Sequence, residues 1–357
     1  MGERQDQFTG TKEVSASLAI DSARLETYLA DHIEGFAGPL TISQFKGGQS
    51  NPTYLLDTPD AKYVLRRKPP GKLLPSAHAV DREFRVINAL RNSYVPVPYV
   101  YHLCTDESIA GTMFYVMSYA HGRVLWESLL PGLEPSERRQ IYNEMNRIIA
   151  TLHTVNVAEV GLSDFGKPGN YFERQTGRWS KQYKASETDD ILEMNRLIDW
   201  LPAHLPEEGN TDEIAIVHGD FRIDNIVFHG TEAHAMAVLD WELSTLGHPL
   251  ADFTYHLMLW RLPPTGFPGM AGTDLAALGI PDEAEYTDMY CARTGRSGIE
   301  NLDYFMAYNA FRIAAILQGI AGRVRDGTAT SPRAKTMAAS VRPLAQLAWS
   351  FAEKAGA

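Results

Sequence analysis

The sequence predicts an α+β fold of two lobes, and three observations support this prediction. The 357 residues exceed the roughly 100 to 200 residues of an ordinary single domain. Strand patterns dominate the first part of the chain, and helical patterns dominate the rest. We therefore expect a small β-rich N-terminal lobe at residues 1–119 and a larger helical C-terminal lobe at residues 120–357. Ligands favour the cleft between two such parts.

The predicted N-terminal lobe contains short strands and one helix. The strands are runs of β-branched and aromatic residues between Gly, Pro and Asp, at residues 40–45, 53–57, 62–67, 99–103 and 112–117. The helix covers residues 78–91. Its apolar side chains recur at the helical period, at Val80, Phe84, Ile87 and Leu90.

The predicted C-terminal lobe is mainly helical. A helix that opens near Ser136 has one apolar stripe, formed by Ile141, Met145, Ile148, Ile149 and Leu152. A Gly-rich and aromatic stretch follows at residues 161–183. Further helices are expected at residues 189–201, 303–325 and 333–354. Two short strands, at residues 214–217 and 235–239, flank the motif that carries the predicted chemistry.

Composition limits the partners and the compartment. The formal charge of -11 and the pI near 5.5 argue against a broad electrostatic surface for nucleic acid or an anionic membrane. The only cysteines, Cys104 and Cys291, are too few for a disulfide framework. The polar start of the sequence has no apolar core like that of a signal peptide. We expect a soluble, cytoplasmic protein, and the sequence does not predict its oligomeric state.

The sharpest signal is the segment V-H-G-D-F-R-I-D-N-I-V-F at residues 217–228, followed by A-V-L-D-W-E at residues 237–242. A strand delivers Asp220 into a loop that Asn225 closes, and a second strand presents Asp240. Phosphoryl transfer needs a carboxylate that accepts the proton of a substrate hydroxyl, and hard oxygen ligands for Mg²⁺. Although Asp and Asn are common in turns, the order and the flanking strands favour Asp220 as the base and Asn225 with Asp240 as metal ligands.

At these residues the sequence resembles the aminoglycoside phosphotransferase family, which is related to choline kinases and protein kinases. The similarity extends to a subgroup of kinase-like domains fused to acyl-CoA dehydrogenases, through Y-V-L-R-R-K-P-P-G at residues 63–71 and Y-F-E-R-Q-T-G-R-W at residues 171–179. The resemblance implies a protein-kinase-like fold and an ATP site between the lobes. It implies the same roles for Asp220, Asn225 and Asp240, and it implies that Asp252 supports the catalytic loop.

Three features of the predicted N-terminal lobe suggest nucleotide binding. In the segment G-G-Q-S-N, the predicted phosphate contacts are Gly47, Gly48, Ser50 and Asn51, although an ordinary hairpin turn is the alternative. Arg66 stands where a kinase lysine is usual, and Glu83 is its expected partner. Strand alternation places Arg66 on the Val64 face and Arg67 opposite. Met117 and Tyr119 fall where a hinge that binds adenine is expected.

Basic residues suggest the class of acceptor. Five basic residues and one acid lie between residues 167 and 184, and in a helix Arg174, Arg178 and Lys181 share one face. This favours an anionic acceptor such as a hydroxyacyl-CoA, with a solvated helix face as the alternative. The alternative acceptors are an aminoglycoside, a choline-like alcohol and a sugar. A nucleotide-binding pseudokinase is a further alternative, which the joint presence of Asp220, Asn225 and Asp240 disfavours. A metal-dependent hydrolase is disfavoured because no further His/Asp cluster completes a site for two metals.

Overall fold

The structure is a computed structural model and describes residues 3–47, 51–71, 78–264, 267, 269–329 and 333–357. One antiparallel sheet of six strands organises the N-terminal part. The strands are β1 Thr11–Lys12, β2 Thr41–Phe45, β3 Thr53–Asp57, β4 Lys62–Arg67, β5 Val100–Cys104 and β6 Phe114–Ser118, in the order β1-β2-β3-β4-β6-β5. The helices are α1 Glu3–Phe8, α2 Ser22–His32, α3 Val80–Leu90 and α4 Glu107–Ala110.

The two faces of this sheet pack against different helices. Val64 of β4 belongs to the larger hydrophobic cluster, which includes Val86 of α3 and continues into the C-terminal part. Leu65 belongs to a second cluster, which includes Leu29 of α2. Side chains alternate across a strand, so Arg66 points toward α3 and Arg67 points toward α2.

The C-terminal part contains most of the helices and two small sheets. Its strands are β7 Arg123–Val124, β8 Ala215–Val217, β9 Ile226–Phe228, β10 Ala235–Val238 and β11 Thr245–Gly247. Its helices are α5 Pro135–His153, α6 Tyr171–Ser186, α7 Leu192–Ala203, α8 Pro249–Leu257, α9 Leu275–Leu278, α10 Glu283–Thr294, α11 Leu302–Arg325, α12 Ala334–Ala339 and α13 Val341–Lys354. Strand β9 pairs with both β7 and β10, and β8 pairs with β11. Among the described residues, no helix combines the length and hydropathy that crossing a bilayer requires.

The antiparallel sheet and the helical C-terminal part confirm the predicted α+β class. The prediction of a single N-terminal helix is wrong, since α2 covers the outer face of the sheet. Its apolar stripe is short, with only Leu25 and Leu29 buried among polar residues, which makes it hard to detect from the sequence. The boundary between residues 119 and 120 remains a prediction.

The helix predicted at residues 333–354 is two helices, α12 and α13, which meet at Ser340. Pro343 lies in the first turn of α13. Proline has no N–H to donate to the preceding turn, so it is tolerated at a helix start but not in a helix interior. The break therefore follows from a residue that is visible in the sequence.

Candidate active site

Asp220 lies in the loop that follows strand β8, and the preceding glycine shapes this loop. Gly219 has a φ of +81°, and a Cβ at this position would lie 2.8 Å from the Leu243 carbonyl oxygen, so a side chain would be strained. Asn225 closes the loop, because its Nδ2 donates to the Asp220 main-chain oxygen at 2.9 Å and to Asp220 Oδ2 at 3.2 Å. These contacts orient the Asp220 carboxylate.

Asp252, in the first turn of α8, supports the start of the same loop. The main-chain N–H groups of His218 and Gly219 donate to its two carboxylate oxygens at 2.7 and 2.8 Å. His153 Nε2 lies 3.2 Å from Asp252 Oδ2. Burial opposes the charge on Asp252, but these hydrogen bonds lower its pKa below the ordinary value. The contacts are of the kind that the family resemblance implies for Asp252.

Two groups absent from the sequence prediction also contact Asp220. The Tyr255 hydroxyl donates to Asp220 Oδ1 at 2.5 Å, and Arg222 Nε lies 3.5 Å from the same oxygen. Burial and the Asp220 charge raise the pKa of Tyr255, so its hydroxyl keeps the proton that it donates. Tyr255 follows Asp252 by three residues on α8, and this spacing places both on one helix face. The helical period of α8 was therefore a usable signal.

Asp240 follows strand β10 with a left-handed backbone, at φ 64° and ψ 58°. Such values are uncommon outside glycine and concentrate at functional sites. The Leu239 N–H donates to the Asn225 carbonyl at 2.8 Å, which places the end of β10 beside the end of the Asp220 loop. The structure thus brings both predicted metal ligands to one end of the β9–β10 hairpin.

The donor atoms at this end of the hairpin fit a hard divalent cation. Asn225 uses its amide nitrogen on Asp220, so its Oδ1 is the atom suited to a metal. Asp240 supplies a carboxylate whose side chain is 27% exposed, so one side of it faces solvent. Carboxylate and amide oxygens are ligands that Mg²⁺ accepts while it keeps waters and phosphate oxygens.

Arg66 is buried and joins both lobes. Its Nε lies 2.8 Å from Glu83 Oε2 on α3, and its Nη2 lies 2.5 Å from Asp240 Oδ1. Burial alone would lower the pKa of Arg66, but the Glu83 and Asp240 charges raise it, so the side chain stays a cation. Tyr115, opposite Arg66 on β6, donates to Glu83 Oε2 at 3.1 Å. The predicted pairing of Arg66 with Glu83 is present.

Arg67 points to the other face of the sheet. Its Nη2 donates to the Leu18 carbonyl at 2.7 Å, and its Nη1 donates to the Ala110 carbonyl. Both arginines are therefore buried, and only Arg66 reaches the residues around Asp240. The strand alternation predicted this difference.

The predicted phosphate-binding segment is described in part. Gly48 and Ser50 lie outside the described residues. Gly47 packs against Trp126, whose Cη2 would lie 2.9 Å from an added Cβ. The Asn51 side chain is fully buried, and its Nδ2 donates to Glu83 Oε1 at 2.8 Å and to Glu242 Oε2 at 3.1 Å. Asn51 therefore links β3 and α3 to the segment after Asp240, a structural contact that the sequence did not indicate.

The two residues predicted at the hinge follow different patterns. Met117 is buried in β6 and pairs with Val64 and Val100 in the sheet. Tyr119 lies just after β6 and is partly buried, with its ring 4.8 Å from the His121 ring. Contact of either residue with adenine stays a prediction.

The predicted acceptor residues lie on α6, which confirms that this segment is helical. Arg174 donates to the carbonyls of Lys167 and Pro168 at 2.7 and 3.0 Å, and so holds the preceding loop. Arg178 and Lys181 are exposed. All three line a surface groove of about 840 Å³.

Arg312 of α11 connects this helix with the Asp220 loop. Its Nη2 donates to the Gly219 carbonyl at 3.0 Å. Its guanidinium carbon lies 5.3 Å from the Tyr255 ring centroid and 6.0 Å from that of Trp179 on α6. Helix α6 is therefore adjacent to the loop that carries Asp220. The signal in the sequence was Arg312, which with Gln318 interrupts the mainly apolar residues 310–321.

The fold, with the residues around Asp220, is that of a kinase-type phosphotransferase. The chain belongs to the phosphotransferase enzyme family known as APH, whose sequence profile matches residues 41–289. This confirms the family that the sequence motifs indicated.

Curated relatives support the predicted subgroup. Acyl-CoA dehydrogenase family member 10 of Mus musculus is 47% identical over 97% of this chain, which covers 32% of that protein. Acyl-CoA dehydrogenase family member 11 of Homo sapiens is 41% identical over 94% of this chain, which covers 43% of that protein. The chain thus spans less than half the length of these relatives.

Solved structures share the fold. A candidate aminoglycoside phosphotransferase from Ralstonia eutropha has 53% identity and a TM-score of 0.87, with 94% of this chain and 99% of that chain covered. The aminoglycoside phosphotransferase APH(4)-Ia, in ternary complex with AMP-PNP and hygromycin B, has 15% identity and a TM-score of 0.60. The alignment with it covers 93% of this chain and 98% of that chain. At that identity the likeness concerns the fold alone.

Proposed function

We propose that this chain transfers the terminal phosphoryl group of ATP to a hydroxyl of a small anionic acceptor, with Asp220 as the base. The observation that supports this most is the set of contacts that joins Asp220, Asn225, Asp240 and Arg66 at the meeting point of the two lobes. Phosphoryl transfer depends on positioning and charge stabilisation more than on covalent chemistry. A preorganised set of this kind meets that requirement.

Asp220 has the surroundings of a base that must keep one orientation. Asn225 holds Oδ2, and Tyr255 donates to Oδ1. When an acceptor hydroxyl approaches, its proton would pass to a carboxylate oxygen of Asp220. The hydroxyl oxygen would bond to the γ-phosphorus of ATP as the bond from that phosphorus to the β–γ bridging oxygen breaks, and ADP would leave. The hydrogen bond from Tyr255 does not block the acceptor, since a carboxylate oxygen accepts more than one hydrogen bond.

Asp240 and Asn225 are the residues that would hold Mg²⁺, and Arg66 would contact phosphate. A bound Mg²⁺ supplies charge neutralisation on the phosphate oxygens. Arg66 is suited to phosphate by its planar fork of donors, and Glu83 fixes the guanidinium from the opposite side. These residues therefore set the position of the nucleotide relative to Asp220.

Replacement of Asp240 by Asn is expected to weaken binding of Mg²⁺-nucleotide by about tenfold or more, because the amide lacks the charge of the carboxylate. The measurement is titration of Mg²⁺ at fixed ATP, with the concentration for half-maximal turnover as the readout. Asp106→Asn is the matched control, since Asp106 is exposed and caps α4, where Asn caps equally well. An unchanged Mg²⁺ requirement in the Asp240 variant would exclude Asp240 as a metal ligand.

The proposed acceptor is a hydroxyl on an acyl-CoA-like thioester. CoA carries several phosphate charges, and the exposed Arg178 and Lys181 lie on α6, the helix whose Trp179 contacts Arg312, which in turn donates to the Gly219 carbonyl next to Asp220. Opposite charges favour binding and speed encounter in a salt-dependent way. The names of the relatives associate similar segments with acyl-CoA dehydrogenases. A site for a polycationic aminoglycoside would instead be expected to be lined by carboxylates.

The double replacement of Arg178 and Lys181 by Glu is expected to raise KM for a hydroxyacyl-CoA by about tenfold or more while KM for ATP stays near the parent value. Arg174 is left in place in this variant, because it holds the loop before α6. Adding Arg174→Glu tests the full predicted set. Steady-state kinetics at two ionic strengths provide the measurement, since screening by salt must reduce the difference.

A charge-matched control separates a local effect from a change in net charge. Arg91 and Lys354 are exposed, and their double replacement by Glu, which matches the charge change of the Arg178 and Lys181 variant, should leave both KM values near those of the parent. Adding Lys12→Glu, also at an exposed residue, matches the triple variant. If the Arg178 and Lys181 variant binds hydroxyacyl-CoA as the parent does, the acyl-CoA assignment fails and the kinase assignment stands.

A screen of acceptors tests the proposed function as a whole. Consumption of ATP is measured with hydroxyacyl-CoAs, aminoglycosides, choline-like alcohols and sugars, with and without Mg²⁺. An aminoglycoside is the second candidate, because the Ralstonia eutropha structure carries that description. Preference for amines over every CoA ester would favour it. Nucleotide binding without turnover on any acceptor would favour a pseudokinase.

A further inference from the structure

The turn of the β9–β10 hairpin, outside the candidate active site, contains two histidines and one glutamate whose potential metal-ligand atoms lie close together. The segment H-G-T-E-A-H, residues 229–234, connects the two strands. The His229 N–H donates to the His234 carbonyl at 2.9 Å and closes the hairpin. Both imidazoles therefore project from a fixed pair of backbone positions.

The three side chains are close together. The His229 and His234 rings stack with centroids 4.8 Å apart and planes 20° from parallel. His234 Nδ1 lies 3.0 Å from Glu232 Oε2. One potential ligand atom from each of His229, Glu232 and His234 lies within 4.8 Å of the others. His234 and Glu232 are exposed and His229 is partly exposed, so an ion from solvent can reach them.

We propose that His229, Glu232 and His234 bind a divalent transition-metal ion of the Zn²⁺ type. Two imidazoles and one carboxylate suit Zn²⁺, whereas Mg²⁺ prefers oxygen ligands alone. Donor atoms about 2.0 to 2.2 Å from one tetrahedral Zn²⁺ lie roughly 3.4 Å from each other. The observed spacing therefore needs only small side-chain rotations at an exposed turn, and water would take the fourth position.

The present hydrogen bonds define which atoms are used. His234 Nδ1 and Glu232 Oε2, now 3.0 Å apart across a hydrogen bond, are already near the spacing of two ligands of one Zn²⁺, so the ion would take the place of the shared proton. His229 Nδ1 accepts long bonds from the main-chain N–H groups of Thr231 at 3.4 Å and Glu232 at 3.2 Å. A metal ion at His229 Nδ1 would replace these two hydrogen bonds. Because both are long, their loss should cost little free energy.

A metal ion at this turn would stabilise the β9–β10 hairpin. Asn225 immediately precedes β9 and Asp240 follows β10, so the turn lies at the opposite end of the hairpin from both. Glu144 of α5 accepts from the Ala235 N–H at 3.1 Å and holds the turn against the helical part. A metal that joins His229 to His234 would cross-link the hairpin that positions both residues, and so raise its stability.

Calorimetric titration of the full chain with ZnCl₂, and thermal unfolding with and without ZnCl₂, test this site. We expect one Zn²⁺ per chain at the turn and a higher unfolding temperature. His234→Ala and Glu232→Gln should each weaken that binding by about tenfold or more, because His234→Ala removes one of the three ligands, Glu232→Gln removes the charge of another, and even outer partners of metal ligands contribute 10- to 100-fold. The double variant His229→Ala/His234→Ala should lose both the binding and the stabilisation.

His204→Ala is the matched control, since His204 is an exposed histidine stacked on Trp200 and should leave Zn²⁺ binding unchanged. Unfolding in the absence of metal verifies that each variant is folded, and Glu232→Gln keeps the shape of the turn. The proposal is overturned if the parent shows no Zn²⁺ binding, or if the double variant keeps the affinity and stabilisation of the parent. These results do not depend on phosphotransferase activity.

Discussion

Asp220→Asn is expected to lower kcat by about 100- to 10,000-fold, the range that a general base contributes. The amide cannot accept the proton of the acceptor hydroxyl, but it preserves the size of the side chain and can still accept the bond from Tyr255. Nucleotide contacts are assigned to other residues, so the dissociation constant for ATP should remain within a few-fold of the parent. Pre-steady-state turnover and equilibrium nucleotide binding measure the two quantities separately.

Folding of the Asp220 variant requires an independent check, since Asn225 also bonds to the Asp220 side chain. The main-chain bond from Asn225 to residue 220 is unaffected by the substitution, so the loop should persist. Parent-like unfolding with lost turnover supports the base. Parent-like turnover in a folded variant would remove Asp220 from the mechanism.

Arg66→Ala is expected to be the most destabilising of the proposed substitutions. It leaves the fully buried Glu83 carboxylate without its cation, and breaking a buried pair costs about 3 to 5 kcal/mol. The same variant should raise KM for ATP and lower turnover, because phosphate loses a planar donor. Denaturant unfolding and steady-state kinetics with varied ATP provide the two readouts. Arg66→Lys keeps the positive charge but not the planar fork of donors, so it should keep only part of the stability and part of the ATP-dependent turnover of the parent.

Two further variants distinguish phosphate binding from structural support by Arg66. Glu83→Gln in the Arg66→Ala background should restore part of the stability, since no unpaired charge then remains, without restoring KM for ATP. Arg67→Ala is the matched control: it also removes a buried guanidinium, but one that contacts the Leu18 and Ala110 carbonyls on the other face. If Arg67→Ala impairs ATP use and Arg66→Ala does not, the assignment of the phosphate-binding arginine is wrong.

Local periodicity predicted the parts of the fold that local patterns determine. The bounds of β3 and β4 agree with the sequence prediction. In β3, buried and partly exposed residues alternate, and in β4 the neighbours Val64 and Leu65 belong to different hydrophobic clusters. The same period-two rule predicts that Arg66 shares the Val64 face of β4, and this face packs against α3. Helix α2 was not predicted, because only two apolar residues, Leu25 and Leu29, form its buried face. Residues 333–354 were predicted as one helix, whereas α13 begins at Val341, two residues before Pro343. The proline was visible in the sequence, but the prediction did not use it.

Around Asp220, the sequence predicted the residues that lie close together along the chain but not the contacts between distant segments. The order of Asp220, Asn225 and Asp240 along two strands was readable, since the three lie within a short segment. Arg312 lies 93 residues from Gly219, to which it donates, and no local pattern joins the two. The buried bridge from Asn51 to Glu242 spans 191 residues. Such contacts depend on how distant helices and strands pack together, which composition and periodicity do not specify.

Transfer of radioactive label from [γ-³²P]ATP tests the central claim most directly. The parent chain and Asp220→Asn are incubated with Mg²⁺ and each acceptor of the screen, and the products are separated. We predict label in a phosphomonoester of a hydroxyacyl-CoA with the parent and almost none with Asp220→Asn. Label in the ester at equal rates with both chains, or label that stays in ATP or appears only as inorganic phosphate with every acceptor, would contradict the account.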